Sequence, residues 1–80
     1  MELVELTEYL VKNLVSNKDV VEVNVKEEDN IKIIQILVDE VDIGSVIGKR
    51  GIIANAIRTI IQASSYHNKF GKVRINFDTK

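Results

Sequence analysis

The eighty residues contain no cysteine, no proline and no tryptophan, a single histidine, and only two tyrosines and two phenylalanines. Without cysteine there can be no disulfide, thiol nucleophile or zinc knuckle. His67 alone is too little for a histidine-rich metal site, so neither metal nor cofactor is expected. No apolar run approaches the ~20 residues of a membrane span, and Met1-Glu2-Leu3-Val4-Glu5 is acidic where a secretory signal is basic, which predicts a cytoplasmic protein with no membrane partner. Linkers, low-complexity stretches and repeats of 20 residues or more are also missing, so residues 1–80 read as one domain. What remains is 45% hydrophobic and 29% charged, the balance of a globular chain. By surface scaling it buries roughly 60–65% of its unfolded surface, so its core is small.

The net charge of −1 conceals a segregation. Residues 1–42 hold four lysines against eleven acids, a balance of −7. Residues 43–80 hold seven cations against Asp78 alone, a balance of +6, and the two sum to −1. A polyanion is therefore admissible on one face, although the pI of about 5.8 argues against one overall.

Periodicity orders the elements. Over residues 2–16, Leu3, Leu6, Leu10 and Leu14 recur at helical spacing, with Glu5, Glu8 and Lys12 opposite, and Tyr9 falls on the polar flank. Val21, Val23 and Val25 then alternate with polar residues as a half-buried strand, and Glu27-Glu28-Asp29-Asn30 supplies a hairpin turn. In residues 31–38, Ile34, Ile36 and Val38 take one face and Ile33 and Leu37 the other, which predicts an inner strand covered on both sides. A short helix over residues 41–47 follows, with Asp42 as its expected N-cap. A longer helix over residues 51–66 places Ile53, Ala56, Ile57, Ile60, Ile61 and Ser64 on one face, with Asn55, Arg58, Thr59 and Gln62 on the other. Asn68-Lys69-Phe70-Gly71 turns the chain into a last strand of Val73, Ile75 and Phe77, with His67 an expected surface residue at the helix end. The class is α+β, in the order α-β-β-α-α-β, a three-stranded sheet with helices packed on one face.

Chemistry concentrates in Ile43-Gly44-Ser45-Val46-Ile47-Gly48-Lys49-Arg50-Gly51. A Walker A loop needs four residues between its glycines and then Lys-Ser or Lys-Thr. Here Gly44 and Gly48 enclose three, and Lys49 is followed by Arg50. A Rossmann fingerprint follows a strand, whereas these glycines lie between two helical segments. Asp39, Glu40 and Asp42 cluster without a nucleophile beside them, so no enzyme is expected. Gly48-Lys49-Arg50-Gly51 does suit a clamp on a single nucleic-acid strand. Glycine at both ends lets a sugar-phosphate backbone approach, two cations stand at the tip, and the next helix begins with free N–H donors. The competing account is a helix-turn-helix corner whose glycines only permit the turn.

Val46-Ile47-Gly48-Lys49-Arg50-Gly51 resembles the V-I-G-x-x-G signature of the KH domain. The element order is similar to the type II arrangement of that fold, and the whole chain, including the Ala54-Asn55-Ala56-Ile57-Arg58-Thr59 run, resembles the short bacterial single-KH proteins of the KhpA family. The resemblance implies single-stranded RNA binding, with single-stranded DNA as the alternative, in a post-transcriptional regulator or RNA chaperone. It implies Gly48, Lys49, Arg50 and Gly51 as the clamp, and Ile47, Ile53 and Ile36 as groove walls, though Ile36 and Ile53 suit plain core equally. Arg58 is a candidate for a phosphate or base edge, against a surface charge or salt bridge. A homodimer, or a heterodimer with a KhpB-like KH protein, is also implied. A purely structural or oligomerisation subunit, using exposed apolar residues, is the reading from a different class. Ile52 departs from the family, where a polar or basic residue is commoner, and is expected to pack on a base or a partner.

Overall fold

The structure, a computed structural model, describes residues 3–67 and 71–80, the side chain of His67 excepted. The expected turn at residues 68–70 and the expected surface role of His67 lie outside the described residues. The elements are α1 (Leu3–Lys12), β1 (Glu22–Glu28), β2 (Ile31–Val38), α2 (Ile43–Ile47), α3 (Ile52–His67) and β3 (Val73–Thr79), with single 3-10 turns at Lys18–Val20, Glu40–Asp42 and Lys49–Gly51. The order is the expected one.

The sheet runs β1-β2-β3, with β2 central, antiparallel to β1 and parallel to β3. Asp29 and Asn30 both take positive φ (50° and 67°) between the paired residues Glu28 and Ile31. Two such residues match the right-handed twist of the strands they join, and Asp and Asn tolerate that conformation at low cost. A parallel β2–β3 pair needs a crossover, and α2, the 3-10 turn and α3 provide it. Register places Val23, Ile36 and Phe77 in one row and Val25, Ile34 and Ile75 in the next, all on the face the helices cover. The core joins Ile34, Ile36, Val38, Val73 and Ile75 of the sheet to Leu3, Val11, Val15, Val46, Ile57 and Ile61.

Four expectations need correction. The second face of β2 is not covered: Ile33 lies between Lys26 and Arg74, and Leu37 between Glu22 and Asp78, and both remain half-buried because no helix packs there. The α3 face is rotated from the expected one. Ala54, Ile57, Ile61 and Ser65 are buried, while Ala56 and Ile60 are exposed. Ser65 tolerates burial because its hydroxyl donates to the Gly71 carbonyl at 2.6 Å. In α1 the buried line is Leu3, Thr7 and Val11, Leu14 is exposed, and Thr7 returns its hydroxyl to the Leu3 carbonyl at 2.9 Å. That helix also ends earlier than expected, where the Asn13 side chain donates to the Tyr9 carbonyl at 2.6 Å and competes with the helical ladder.

The fourth correction concerns Asp42. It makes no cap bond to α2, since its own backbone is already helical (φ −102°, ψ −8°). Its buried carboxylate instead accepts the N–H groups of Ser16 (2.9 Å) and Asn17 (3.0 Å), tying the loop after α1 to the start of α2. Those two donors, Ser16 first, hold the carboxyl below the ordinary carboxylate range against the opposing effect of burial. Asp39, in extended conformation, does the capping, accepting from Val41 N–H at 3.1 Å and from the Asn17 amide at 2.8 Å.

Candidate nucleic-acid interface

Helix α2 stops because Gly48 takes φ 75°, ψ 174°, a region closed to side-chain-bearing residues, while its N–H still bonds the Gly44 carbonyl at 2.9 Å. A Cβ at Gly48 would stand 2.8 Å from Ile53 Cγ1, so glycine is required for the close approach of α3 as well as for its dihedral angles. Arg50 is left-handed (φ 55°, ψ 24°), Gly51 follows at φ 77°, and the turn is closed by Gly51 N–H to the Gly48 carbonyl at 3.2 Å. A non-glycine residue in that region costs on the order of 1 kcal/mol, and such cost concentrates where backbone geometry serves a site. Lys49 and Arg50 are both exposed, and neither joins an ion pair among the described residues. The first turn of α3 opens immediately behind them, with the Ile52 N–H taken by the Lys49 carbonyl. Two unpaired cations and a helix start therefore share one tight corner.

The other sequence-derived candidates are dispersed. Ile47 and Ile53 are half-buried beside the turn. Ile36 is 0% exposed, deep beneath the helices, and has no surface with which to wall a groove. Arg58 lies over the Phe77 ring at 5.3 Å, donates to Asn55 Oδ1 at 3.1 Å and makes a long contact of 3.4 Å to the Ile75 carbonyl, yet stays exposed.

Two surfaces were missed. Beyond Arg58, a cleft of about 710 Å³ opens between α3 and β3, lined by Gln62, Tyr66, Lys72 and Arg74 among others. Its signal was present: Tyr66 continues the polar flank one turn past Gln62. On the opposite flank of α3, Ile52, Ile53, Ala56 and Ile60 face Tyr9 and Leu14 of the α1 end across an almost wholly apolar groove of about 380 Å³. The rotation of α3 created it.

Residues 4–77 match the family model described as KhpA/KhpB, KH domain. The chain belongs to that family. Among similar curated proteins, the RNA-binding protein KhpA of Borreliella burgdorferi is 45% identical over 60 residues, covering 75% of this chain and 73% of that protein. The RNA-binding protein KhpA of Aquifex aeolicus is 45% identical over 71 residues, covering 89% and 84%. Among solved structures, a crystal structure of Aquifex aeolicus Era bound to GDP and aluminium fluoride superposes with a TM-score of 0.68 at 20% identity. It matches 98% of this chain and 30% of the larger Era chain, a likeness of fold. Within the KhpA/KhpB family fold, the corner at Gly48–Gly51 occupies the junction between the two crossover helices.

Proposed function

We propose that this KH domain binds single-stranded RNA through the backbone clamp Gly48-Lys49-Arg50-Gly51, as a post-transcriptional regulator or RNA chaperone of the cytoplasm. The observation that carries the reading is the pair of exposed, unpaired cations held in a strained corner at the start of a 16-residue helix. The printed function of the KhpA relatives points the same way. Ile47 and Ile53 flank the clamp, and the strand lies against them. With about two to four phosphates contacted, log K falls against log salt with a slope of roughly −1.5 to −3 for a single strand. A titration of a short single-stranded RNA between low and moderate salt reads that slope, and a flat response removes the clamp. Single-stranded DNA of the same sequence, run in parallel, reports whether the 2′-hydroxyl contributes.

A second reading concerns partners, and the apolar groove favours it. Ile52 is 65% exposed and Ile60 44%, one helical turn either side of Ala56, and Tyr9 and Leu14 extend the same patch. The step of four residues forms a ridge with a small residue at its centre, the shape on which another helix packs closely. A second KH domain, of this chain or of the KhpB kind, supplies such a helix, and pairing raises the effective concentration of two weak clamps on one RNA. Sedimentation equilibrium of the isolated chain tests the homodimer.

A further inference from the structure

We propose that the open face of the sheet, the one no helix covers, is a self-complementary surface on which a second copy of this chain docks. The two sheets meet face to face with strands antiparallel, about a two-fold axis through the Asn24-Gln35-Asn76 row. This face lies on the other side of the sheet from the helices that carry the clamp and the apolar groove, and it needs neither of them.

Strand register fixes the pattern. Three successive rows across β1, β2 and β3 are Glu22-Leu37-Asp78, Asn24-Gln35-Asn76 and Lys26-Ile33-Arg74. The first is acidic at both ends, the second carries three amides, and the third is basic at both ends. Leu37 and Ile33, at the centres of the charged rows, are half-buried, while the four charged ends are exposed. Among the described residues none of the three amides makes a side-chain hydrogen bond. The one ion pair that touches these rows is Glu22 with Lys80 at 3.9 Å, an exposed contact of little worth that a better-placed cation can replace.

Two identical faces meet about a two-fold axis lying between them, and its direction decides which rows touch. An axis along the strands lays each row on its own copy with β1 over β3, so Glu22 would meet Asp78 and Lys26 would meet Arg74, like charge on like. An axis across the strands, through the amide row, lays the acidic row of one copy on the basic row of the other. Glu22 then meets Lys26, Asp78 meets Arg74, Leu37 meets Ile33, and the amides meet their own counterparts. Each charge contact occurs twice, so opposite charges surround an apolar and amide centre. Stacked sheets lie about 10 Å apart and turn by about 30°, offsets that long charged side chains span. Charge also excludes a nucleic-acid strand here, because the acidic row repels phosphates. The face is small: three strands about 4.8 Å apart and about 3.3 Å per residue over the length of β1 give a plan area of roughly 330 Å². A standard interface takes about 800 Å² from each partner, so this pairing is weak and reversible.

The test is sedimentation equilibrium of the whole chain carrying Ile60→Glu, which interrupts the apolar groove, at concentrations up to the millimolar range. Glu22→Lys with Asp78→Lys makes both charged rows basic, and Lys26→Glu with Arg74→Glu makes both acidic. Each variant alone is expected to associate at least about tenfold more weakly than the Ile60→Glu chain. An equimolar mixture of the two restores opposite charge at every contact and is expected to associate at least as well as that chain. Added salt is expected to weaken the pairing. The sequence has no cysteine, so Gln35→Cys supplies a single thiol at the axis, and a short bismaleimide is expected to link two copies, whereas Glu5→Cys on α1 is expected to stay unlinked. Circular dichroism melts verify the fold of each charge variant, and where one melts early the Gln35→Cys crosslink decides. If the parent associates and the Ile60→Glu chain is monomeric throughout, the groove stands and the sheet face is overturned. A mixture that associates no better than its components also overturns it, as does a Gln35→Cys chain that links no better than Glu5→Cys.

Discussion

The two flanks of α3 face opposite ways in chemistry although they belong to one helix. Ile52, Ala56 and Ile60 leave an apolar ridge in water, whereas Asn55, Arg58, Gln62 and Tyr66 make a polar line one side-chain width away. Burying a side chain as large as isoleucine is worth about 1.5–3 kcal/mol, so a ridge of this kind is a standing drive toward association. The polar line has no such drive and instead offers hydrogen bonds and charge. One rigid helix thus carries an apolar flank and a polar flank side by side.

The strongest way to sharpen this contrast is to remove the cations. Lys49→Asp with Arg50→Asp is expected to cost at least about 3 kcal/mol in RNA binding, more than a hundredfold, at moderate salt. The same variant should melt and self-associate as the parent does, and a shifted sedimentation profile would show that the flanks are not separate. Gly48 is where they meet, because Ile53, which lines the apolar groove, abuts it. Gly48→Ala forces a side chain into a backbone region reserved for glycine and against Ile53, and is expected to destabilise the fold by about 2 kcal/mol, read from a denaturant midpoint. Unlike the charge reversal, it should disturb both flanks together. On the apolar side, Ile60→Glu is expected to weaken self-association about tenfold while RNA affinity per chain, measured well below the dimer concentration, stays within a few-fold.

The smallest effect is confined to acid. Asp42 has its carboxyl lowered by Ser16 and Asn17, so its stabilisation is fully present above the ordinary carboxylate pKa of about 3.9 and is lost as pH falls through the lower folded value. Asp42→Asn should flatten that part of the acid limb in a thermal melt series from pH 6 downward. An acid limb as steep as the parent's would assign the loss to other carboxylates. Because Asp42 lines neither the apolar groove nor the cleft beside β3, both association equilibria near neutral pH serve as internal controls.

Sequence carried the element order, the central place of β2 and the glycine-flanked corner, because alternation, helical period and a short motif are local signals. The rotation of α3 was not legible. Ile52, Ile53, Ile57, Ile60 and Ile61 spread around more than one face, and hydrophobicity alone assigns all of them inward, whereas only the packing against β2 and α1 decides which stay there. Buried Thr7 and Ser65 are the converse case. They read as polar, yet each satisfies its hydroxyl on a main-chain carbonyl and so tolerates burial. Ile36 was drawn to the candidate groove by resemblance, and the structure leaves it in the core. Asp42 shows a further limit. Its partners lie 25 and 26 residues away, and no spacing rule reaches that far.

The pair of bonds by which Gln62 and Arg58 reach the margin of β3 has a consequence for misassembly. A parallel strand at the end of a sheet is a template on which another molecule's strand can grow, and here the template is closed only while α3 is in place. On warming, the species prone to fibrillar growth is therefore the one in which α3 has peeled from the sheet, even with β1, β2 and β3 still aligned. Solubility on storage and in the cell should accordingly follow the rate at which that helix detaches, and agents that hold it down should act as anti-aggregants without raising the global free energy of unfolding by a comparable amount.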